Sequence, residues 1–131
     1  MATVLAVALA WSSRSPETLD GQVTYYSPGL MQQVAENRGL SLEGYAGGVA
    51  LNRRGDLGRV VWLEFDGAID GPFLVVDCAR REHYESREQR SRVVEVDAQT
   101  AMRRGFYGVR PVSVKVFFDD SVSCTGIPCF E

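Results

Sequence analysis

The 131-residue chain holds one histidine, three cysteines and a single lysine, and these scarcities exclude several kinds of site. Seventeen acidic residues outnumber fourteen basic ones, giving a net charge of −3. This balance provides no overall attraction to a phosphate backbone, so nucleic acid is not an expected partner. The lone His83 and the scattered thiols lack the paired spacings of a structural zinc site. We therefore expect neither a metal ion nor a cofactor.

Long apolar runs are scarce too, and the apolar N-terminal stretch, residues 2–11, is too short to span a bilayer. No integral membrane span is therefore predicted. The stretch is similar to the core of a secretory signal, and Ala8-Leu9-Ala10 has the form of a cleavage site. A buried strand or helix is the alternative. Residues 12–21 are polar and turn-rich, which predicts a tether.

The length fits one domain. We divide the chain into a signal remnant and tether over residues 1–21, a barrel domain over residues 22–120, and a tail over residues 121–131. In the tail, four turn-forming residues separate Cys124 from Cys129, which predicts a disulfide that closes a small loop. Such a short loop would add about 2 kcal/mol at most. Cys78 follows apolar strand residues and is expected to be an inert core residue.

Apolar periodicity predicts a mainly β fold with one or two short helices. Strands are predicted over residues 22–26, 48–51, 59–65, 73–78, 92–96 and 112–118. A helix is predicted over residues 28–38, ended by Gly39, and a shorter one after Asp97, ended by Gly105. Asp66-Gly67 and the turn signal at residues 70–72 predict a hairpin with a longer loop. Residues 79–91 form a long charged loop by composition.

Four segments together resemble the double-psi β-barrel family, which groups rare-lipoprotein-A-like peptidoglycan enzymes, barwin, expansins and related endoglucanases. They are Tyr25-Tyr26 and residues 50–61, 75–77 and 96–101. The resemblance covers residues 25–118 and lies in the order and spacing of elements. It implies a six-stranded barrel with crossed loops, a surface groove for an extended glycan and an extracytoplasmic setting.

The family motifs fall on three positions of this chain. Asn52 stands where the lipoprotein-A-like branch has a histidine, and Asp77 and Asp97 keep the two strand-end acids. The Gly-Pro turn that follows the first acid in the family is replaced here by the charged loop. Both departures argue against lytic transglycosylase activity, because the positioned imidazole and the turn beside the acid are missing.

Asp77 and His83 are the catalytic candidates. Asp77 follows four apolar residues, so burial would raise the pKa of its carboxyl group and suit it to act as a general acid. The alternative is a structural carboxylate that accepts backbone N–H bonds. A two-carboxylate hydrolase would need a second acid about 5–10 Å away, and Asp97 is the candidate, with helix capping as its other role. Histidine ordinarily titrates near neutral pH, which suits acid/base work and makes His83 a candidate to replace the missing imidazole, although a histidine in a charged loop is commonly solvated.

The candidate substrate-binding residues are amide, aromatic and basic side chains. Asn52 can orient a sugar hydroxyl or acetamido group but cannot shuttle a proton. Tyr26 and Tyr84 are candidates for stacking on sugar rings. Arg80 and Arg81 are candidates for binding carboxylates of wall peptides, with pairing to nearby glutamates as the alternative.

The sequence thus predicts a secreted or wall-facing barrel module that binds a polysaccharide, with peptidoglycan as the expected ligand. One alternative is a lytic transglycosylase or glycoside hydrolase that uses Asp77 as acid/base. Another is a non-catalytic structural or protein-interaction module.

Overall fold

The structure, a computed structural model, describes residues 14–78, 91–108 and 112–121. These residues form six strands and two short helices. The strands are β1 (Arg14–Tyr25), β2 (Gly47–Leu51), β3 (Val60–Phe65), β4 (Ala68–Cys78), β5 (Arg92–Val96) and β6 (Val112–Asp119). The helices are α1 (Leu30–Asn37) and α2 (Ala98–Arg104). This confirms the predicted mainly β fold with short helices, while most of the predicted charged loop, residues 79–90, lies outside the described residues.

The strands close into a barrel in the order β1-β5-β2-β4-β3-β6. Strands β1 and β5 pair in parallel, as do β2 and β4, and the remaining neighbours are antiparallel. Parallel partners cannot be joined by a tight hairpin, so the chain must cross the barrel between them. The predicted closed six-stranded barrel is confirmed.

Alternating side chains of the strands fill the barrel interior, because successive residues of a strand point to opposite faces. Large side chains that are completely buried there include Phe73, Leu63 and Phe118. In β6, the interior side chains are Val114, Val116 and Phe118, as the alternation predicts. Val112 begins the same alternation but is 36% exposed at the start of the strand.

Strand β1 begins at Arg14, so the prediction of a tether up to residue 21 is wrong for residues 14–21. These residues pair antiparallel with β6, whose Phe117 lies opposite Thr18. The register shifts between Arg14 and Thr18, where Pro16 can provide no N–H for a regular ladder. Turn-rich composition misled the prediction because Glu17, Thr18 and Asp20 are exposed side chains of a paired strand.

The hairpin between β3 and β4 is tighter than predicted. Phe65 lies opposite Ala68, which leaves only Asp66 and Gly67 as the turn, and both have positive φ (50° and 86°). Positive φ at both positions is the geometry of a type I′ turn, which matches the twist of paired strands. Residues 70–72 therefore lie within β4 and do not form the predicted longer loop.

The two helices cover different parts of the barrel. Met31 and Ala35 of α1 pack outside the barrel on Val60, Leu74 and Val76. Gly48 permits this approach, because a Cβ atom at that position would lie 2.9 Å from Cγ of Met31. The other helix, α2, contributes the buried Ala101 to the interior core, together with Phe106 from the turn that follows. The N-terminal ends of both helices lie near Gly47 of β2 at the barrel surface.

Candidate functional site

A bulge in β4 determines where the Asp77 side chain points. Val49 of β2 pairs with Val75, but the next residue, Ala50, pairs with Asp77, so Val76 is an extra residue. A regular register would place Asp77 opposite Leu51, which is buried in the barrel interior. The bulge shifts Asp77 opposite Ala50 and so turns its carboxylate to the outer surface of the barrel.

Both carboxylate oxygens of Asp77 have partners on the outer surface. The Tyr26 hydroxyl donates to Oδ2 at 2.6 Å, and Arg38 Nη2 donates to Oδ1 at 2.9 Å. The Arg38 and Asp77 side chains are 24% and 18% exposed. Charge-assisted bonds of this kind are short and strong. We call these three residues the Asp77 triad, and its two bonds hold the carboxylate in a fixed position.

Tyr26 acts in the triad as a hydrogen-bond donor. Burial raises the pKa of its phenol, and the hydrogen bond to the Asp77 carboxylate raises this pKa further. Tyr26 therefore keeps its proton at physiological pH, and its hydroxyl is committed to Asp77. The ring of Tyr26 is half-buried, and its predicted role in stacking on sugar rings stays a prediction.

Arg38 and Glu95 were not predicted as site residues. Arg38 follows α1, where its N–H donates to Val34 O and Ala35 O, and a cation is favourable at that end of a helix. Glu95 of β5 lies opposite Ala50, and its charge contributes to the raised pKa of Tyr26. Asp77 and Glu95 thus flank the small side chain of Ala50 on neighbouring strands, with backbones about 10 Å apart. The alternation of β5 could have identified Glu95, because it lies between two interior valines.

Asn52 lies just beyond β2, two residues after Ala50, where its N–H donates to Val93 O at 3.1 Å. It is half-buried, near the same end of β2 as the triad's bulge. This position is compatible with the predicted sugar-orienting role of Asn52, which stays a prediction.

Asp97 lies in a different place from Asp77. Its Oδ1 accepts a bond of 2.7 Å from Thr100 N, which confirms the predicted N-cap of α2. Asp97 lies beside Gly47, whereas Asp77 pairs with Ala50, three residues further along β2. The two positions on β2 are therefore roughly 10 Å apart. Asp97 lines a groove between the starts of α1 and α2, and Asp77 does not line it.

The remaining predicted site residues lie outside the described residues. They are Arg80, Arg81, His83 and Tyr84 of the charged loop and Cys124 and Cys129 of the tail. Cys78, expected to be an inert thiol, is instead disulfide-bonded. The predicted pairing of Cys124 with Cys129 stays a prediction.

Comparison of the chain with protein-family models, curated proteins and solved structures finds no match. In the described part of the chain, neither helix is long and apolar enough to cross a membrane. Residues 14–78, 91–108 and 112–121 also contain no group of three or more His, Cys, Asp or Glu side chains that could hold a metal ion. Function must therefore be inferred from the geometry of the barrel surface.

Proposed function

We propose that this chain is a secreted or wall-facing module that binds a polysaccharide, with the glycan strand of peptidoglycan as its ligand. The observation that carries the proposal is the Asp77 triad. A bulge turns its carboxylate outward, and Tyr26 and Arg38 hold it in a fixed, partly exposed position. Bulges are frequent next to functional sites because they redirect one side chain.

The chemistry of the triad suits a sugar ligand. Sugar hydroxyls both donate and accept hydrogen bonds, so they can bond to a carboxylate and to a guanidinium at once. Because Tyr26 and Arg38 already hold the Asp77 carboxylate, little side-chain entropy would be lost on binding. Asn52, at the nearby end of β2, adds an amide that can donate and accept. These features support binding of a polyhydroxylated ligand.

The proposal includes an extracytoplasmic location, where the surroundings are oxidising. The disulfide at Cys78 supports an extracytoplasmic location, since structural disulfides persist in oxidising compartments.

Glycan cleavage is the second candidate, favoured by one observation. Asp77 and Glu95 flank Ala50, and inverting glycosidases use two carboxyl groups roughly 6.5–9.5 Å apart. Both oxygens of Asp77 already accept hydrogen bonds from Tyr26 and Arg38, which weighs against cleavage because a general acid must donate a proton to the substrate. We therefore place binding first and cleavage second.

Co-sedimentation with purified peptidoglycan sacculi tests the proposal. The wild type should pellet with sacculi, and Asp77→Asn should bind at least tenfold more weakly because it loses the charge that orders Arg38. The matched control is Asp66→Asn, an exposed acid in the β3–β4 turn, which should bind as the wild type does. A wild type that stays in the supernatant would overturn the proposal and favour a structural or protein-interaction module.

The same incubation distinguishes cleavage from binding. The binding proposal predicts no soluble muropeptides in the supernatant. Release that is lost in both Asp77→Asn and Glu95→Gln would establish the second candidate instead.

A further inference from the structure

A groove of about 460 Å³ lies between the starts of α1 and α2, apart from the Asp77 triad. Its volume falls within the range of small-molecule sites. The residues that line the groove include Gln32, Tyr45, Gly47, Asp97, Gln99 and Met102. We call it the Asp97 groove. It combines a carboxylate, two amides, an aromatic ring and an exposed thioether.

One oxygen of Asp97 is available to a ligand. Oδ1 caps α2 through Thr100 N, and no hydrogen bond in the described part of the chain uses Oδ2. Gly47 leaves the space that this second oxygen occupies, since a Cβ atom on Gly47 would lie 1.9 Å from it. The carboxylate therefore lies directly on the backbone of β2, with its direction set by the cap.

A second, independent polar atom lies unpartnered at the same place. Thr100 is completely buried, and its Oγ1 is the one buried side-chain oxygen or nitrogen of the described residues that lacks a hydrogen bond. The same Cβ position on Gly47 would lie 3.4 Å from this oxygen. Buried polar groups without partners are rare in proteins and call for a functional explanation. Thr100 does not line the groove, so its unsatisfied hydroxyl lies in the interior next to Gly47, and Asp97 Oδ2 is the oxygen that a ligand in the groove can reach.

The charge of the groove indicates which ligand it accepts. Asp97 is its one ionisable acid or base apart from the Tyr45 phenol, and no arginine or lysine of the described residues lines it. An acidic sugar would therefore meet a carboxylate with no compensating cation among the described residues. A neutral ring would offer hydroxyl donors to Asp97, polar groups to the glutamine amides, and its apolar face to Tyr45 and Met102.

We propose that the Asp97 groove is a subsite for a neutral sugar residue of the bound polysaccharide, held by hydroxyl donation to Asp97 Oδ2. This inference rests on the proposed polysaccharide binding and adds a specificity that the Asp77 triad does not provide. The helix α1 joins the two sites, since Arg38 follows its last turn and Gln32 lies in its first. A helix of eight residues spans about 12 Å, the scale of two or three sugar units along an extended glycan.

Isothermal titration calorimetry with two soluble probes tests the subsite. Chitotetraose is neutral, and a galacturonate tetramer carries a carboxylate on each ring. The wild type should bind chitotetraose at least tenfold more tightly than the acidic probe. Asp97→Asn should weaken chitotetraose binding at least tenfold while keeping the helix cap, because asparagine caps as well as aspartate. In the same variant, the ratio of the affinity for chitotetraose to the affinity for the galacturonate tetramer should fall.

A pair of neighbouring glutamines supplies the matched control. Both Gln32 and Gln33 are exposed on α1, but only Gln32 lines the groove. Gln32→Ala should weaken chitotetraose binding, and Gln33→Ala should not. Thermal unfolding should show that each variant retains the fold.

Two outcomes would overturn the subsite, and they differ in what they leave standing. Wild-type affinity in both Asp97→Asn and Gln32→Ala, with Asp77→Asn still defective on sacculi, overturns the groove subsite and keeps the proposed function. A wild type that binds neither chitotetraose nor sacculi overturns the proposed function and the subsite with it.

Discussion

The Asp97 groove differs from the charged cluster at the barrel end where β1 and β3 begin. In that cluster, Asp56 is 7% exposed and accepts bonds from Arg53 Nε at 2.7 Å and Arg59 Nη1 at 2.9 Å. Glu17 and Asp120 accept further bonds from the two guanidinium groups. Both guanidinium groups also lie over the ring of Phe118, at 4.7 Å and 4.0 Å. We call these five charged residues the arginine network.

The comparison indicates how to separate structural charges from binding charges. In the arginine network both oxygens of the buried carboxylate are bonded, so a ligand would have to displace a partner. In the Asp97 groove one carboxylate oxygen lacks a partner, and so does the buried Thr100 hydroxyl in the interior nearby. The Asp77 triad is intermediate: both oxygens of its carboxylate are bonded, as in the arginine network, but the carboxylate is partly exposed, so a ligand can contact it without displacing a partner. We therefore assign stability to the arginine network and ligand binding to the other two sites.

Removing the buried acid of the arginine network should have the largest effect on stability. Asp56→Ala leaves two guanidinium groups without their shared partner and should lower the free energy of unfolding by about 3 kcal/mol. Urea denaturation measures this change in the free energy of unfolding. Asp120→Ala, which removes a 57% exposed partner of Arg59, should cost less than about 0.5 kcal/mol. Equal effects of the two substitutions would contradict a structural role centred on Asp56.

Adding a methyl group under Asp97 should affect both stability and binding. Gly47→Ala places a Cβ atom against Asp97 Oδ2, so the carboxylate must move and the α2 cap is weakened. Loss of a cap costs about 1 kcal/mol, which sets the expected fall in the free energy of unfolding. Chitotetraose affinity should fall with it. An unchanged affinity in a destabilised variant would show that the position of Asp97 is unimportant to the ligand.

Replacing the unpartnered hydroxyl of Thr100 should raise the stability of the fold. Thr100→Val replaces a buried hydroxyl without a partner by a methyl group of similar size, and should stabilise the fold by up to about 1 kcal/mol. Thermal and urea unfolding measure the change. A loss of stability would mean that the hydroxyl already has a partner in the folded protein, such as a bound water, and would weaken the contrast between the groove and the arginine network.

Acid should reduce stability gradually, through carboxylates that arginines or other donors hold ionised. The hydrogen bond from Arg53 lowers the pKa of Glu17 below its usual 4.5. Burial alone would raise the pKa of Asp70, but bonds from Arg103 and Arg104 outweigh it and hold that pKa below 3.8. The unfolded chain therefore binds more protons, so stability is complete above about pH 4.5 and falls as the pH drops through the lower folded pKa values.

Urea midpoints measured from pH 6 to pH 3 check this dependence. The midpoint should stay level down to about pH 4.5 and then decline, and Glu17→Gln should reduce the decline. A midpoint that rises on acidification would contradict the assigned direction of these pKa shifts.

Local sequence signals predicted most of the fold. The apolar strand pattern located β5 and β6, with clean alternation in β6, and Asp97 with Gly105 bounded α2 because capping depends on residues a few positions apart. The start of β1 was missed because its polar residues resemble a loop until β6 pairs with them. The composition of residues 14–21 alone does not indicate that β6 pairs with them.

The candidate site was less predictable because its parts meet only in the folded barrel. Asp77 was identified as an acid at a strand end, but the bulge at Val76 depends on the register with β2. Arg38 reaches Asp77 across 39 residues of chain, and Tyr26 across 51. The Asp97 groove likewise needs the starts of α1 and α2 to come together beside β2, which no local pattern specifies.

The most direct test of the account maps the bound glycan on the protein by NMR. Amide shifts are recorded as chitotetraose is added to isotopically labelled protein. We predict that the perturbed amides cluster at Gln32, Gly47 and Gln99 and extend along α1 to Arg38. Perturbations confined to the opposite surface, around Glu64 and Ser113, or no perturbation at all, would contradict the claim that this face of the barrel binds sugar.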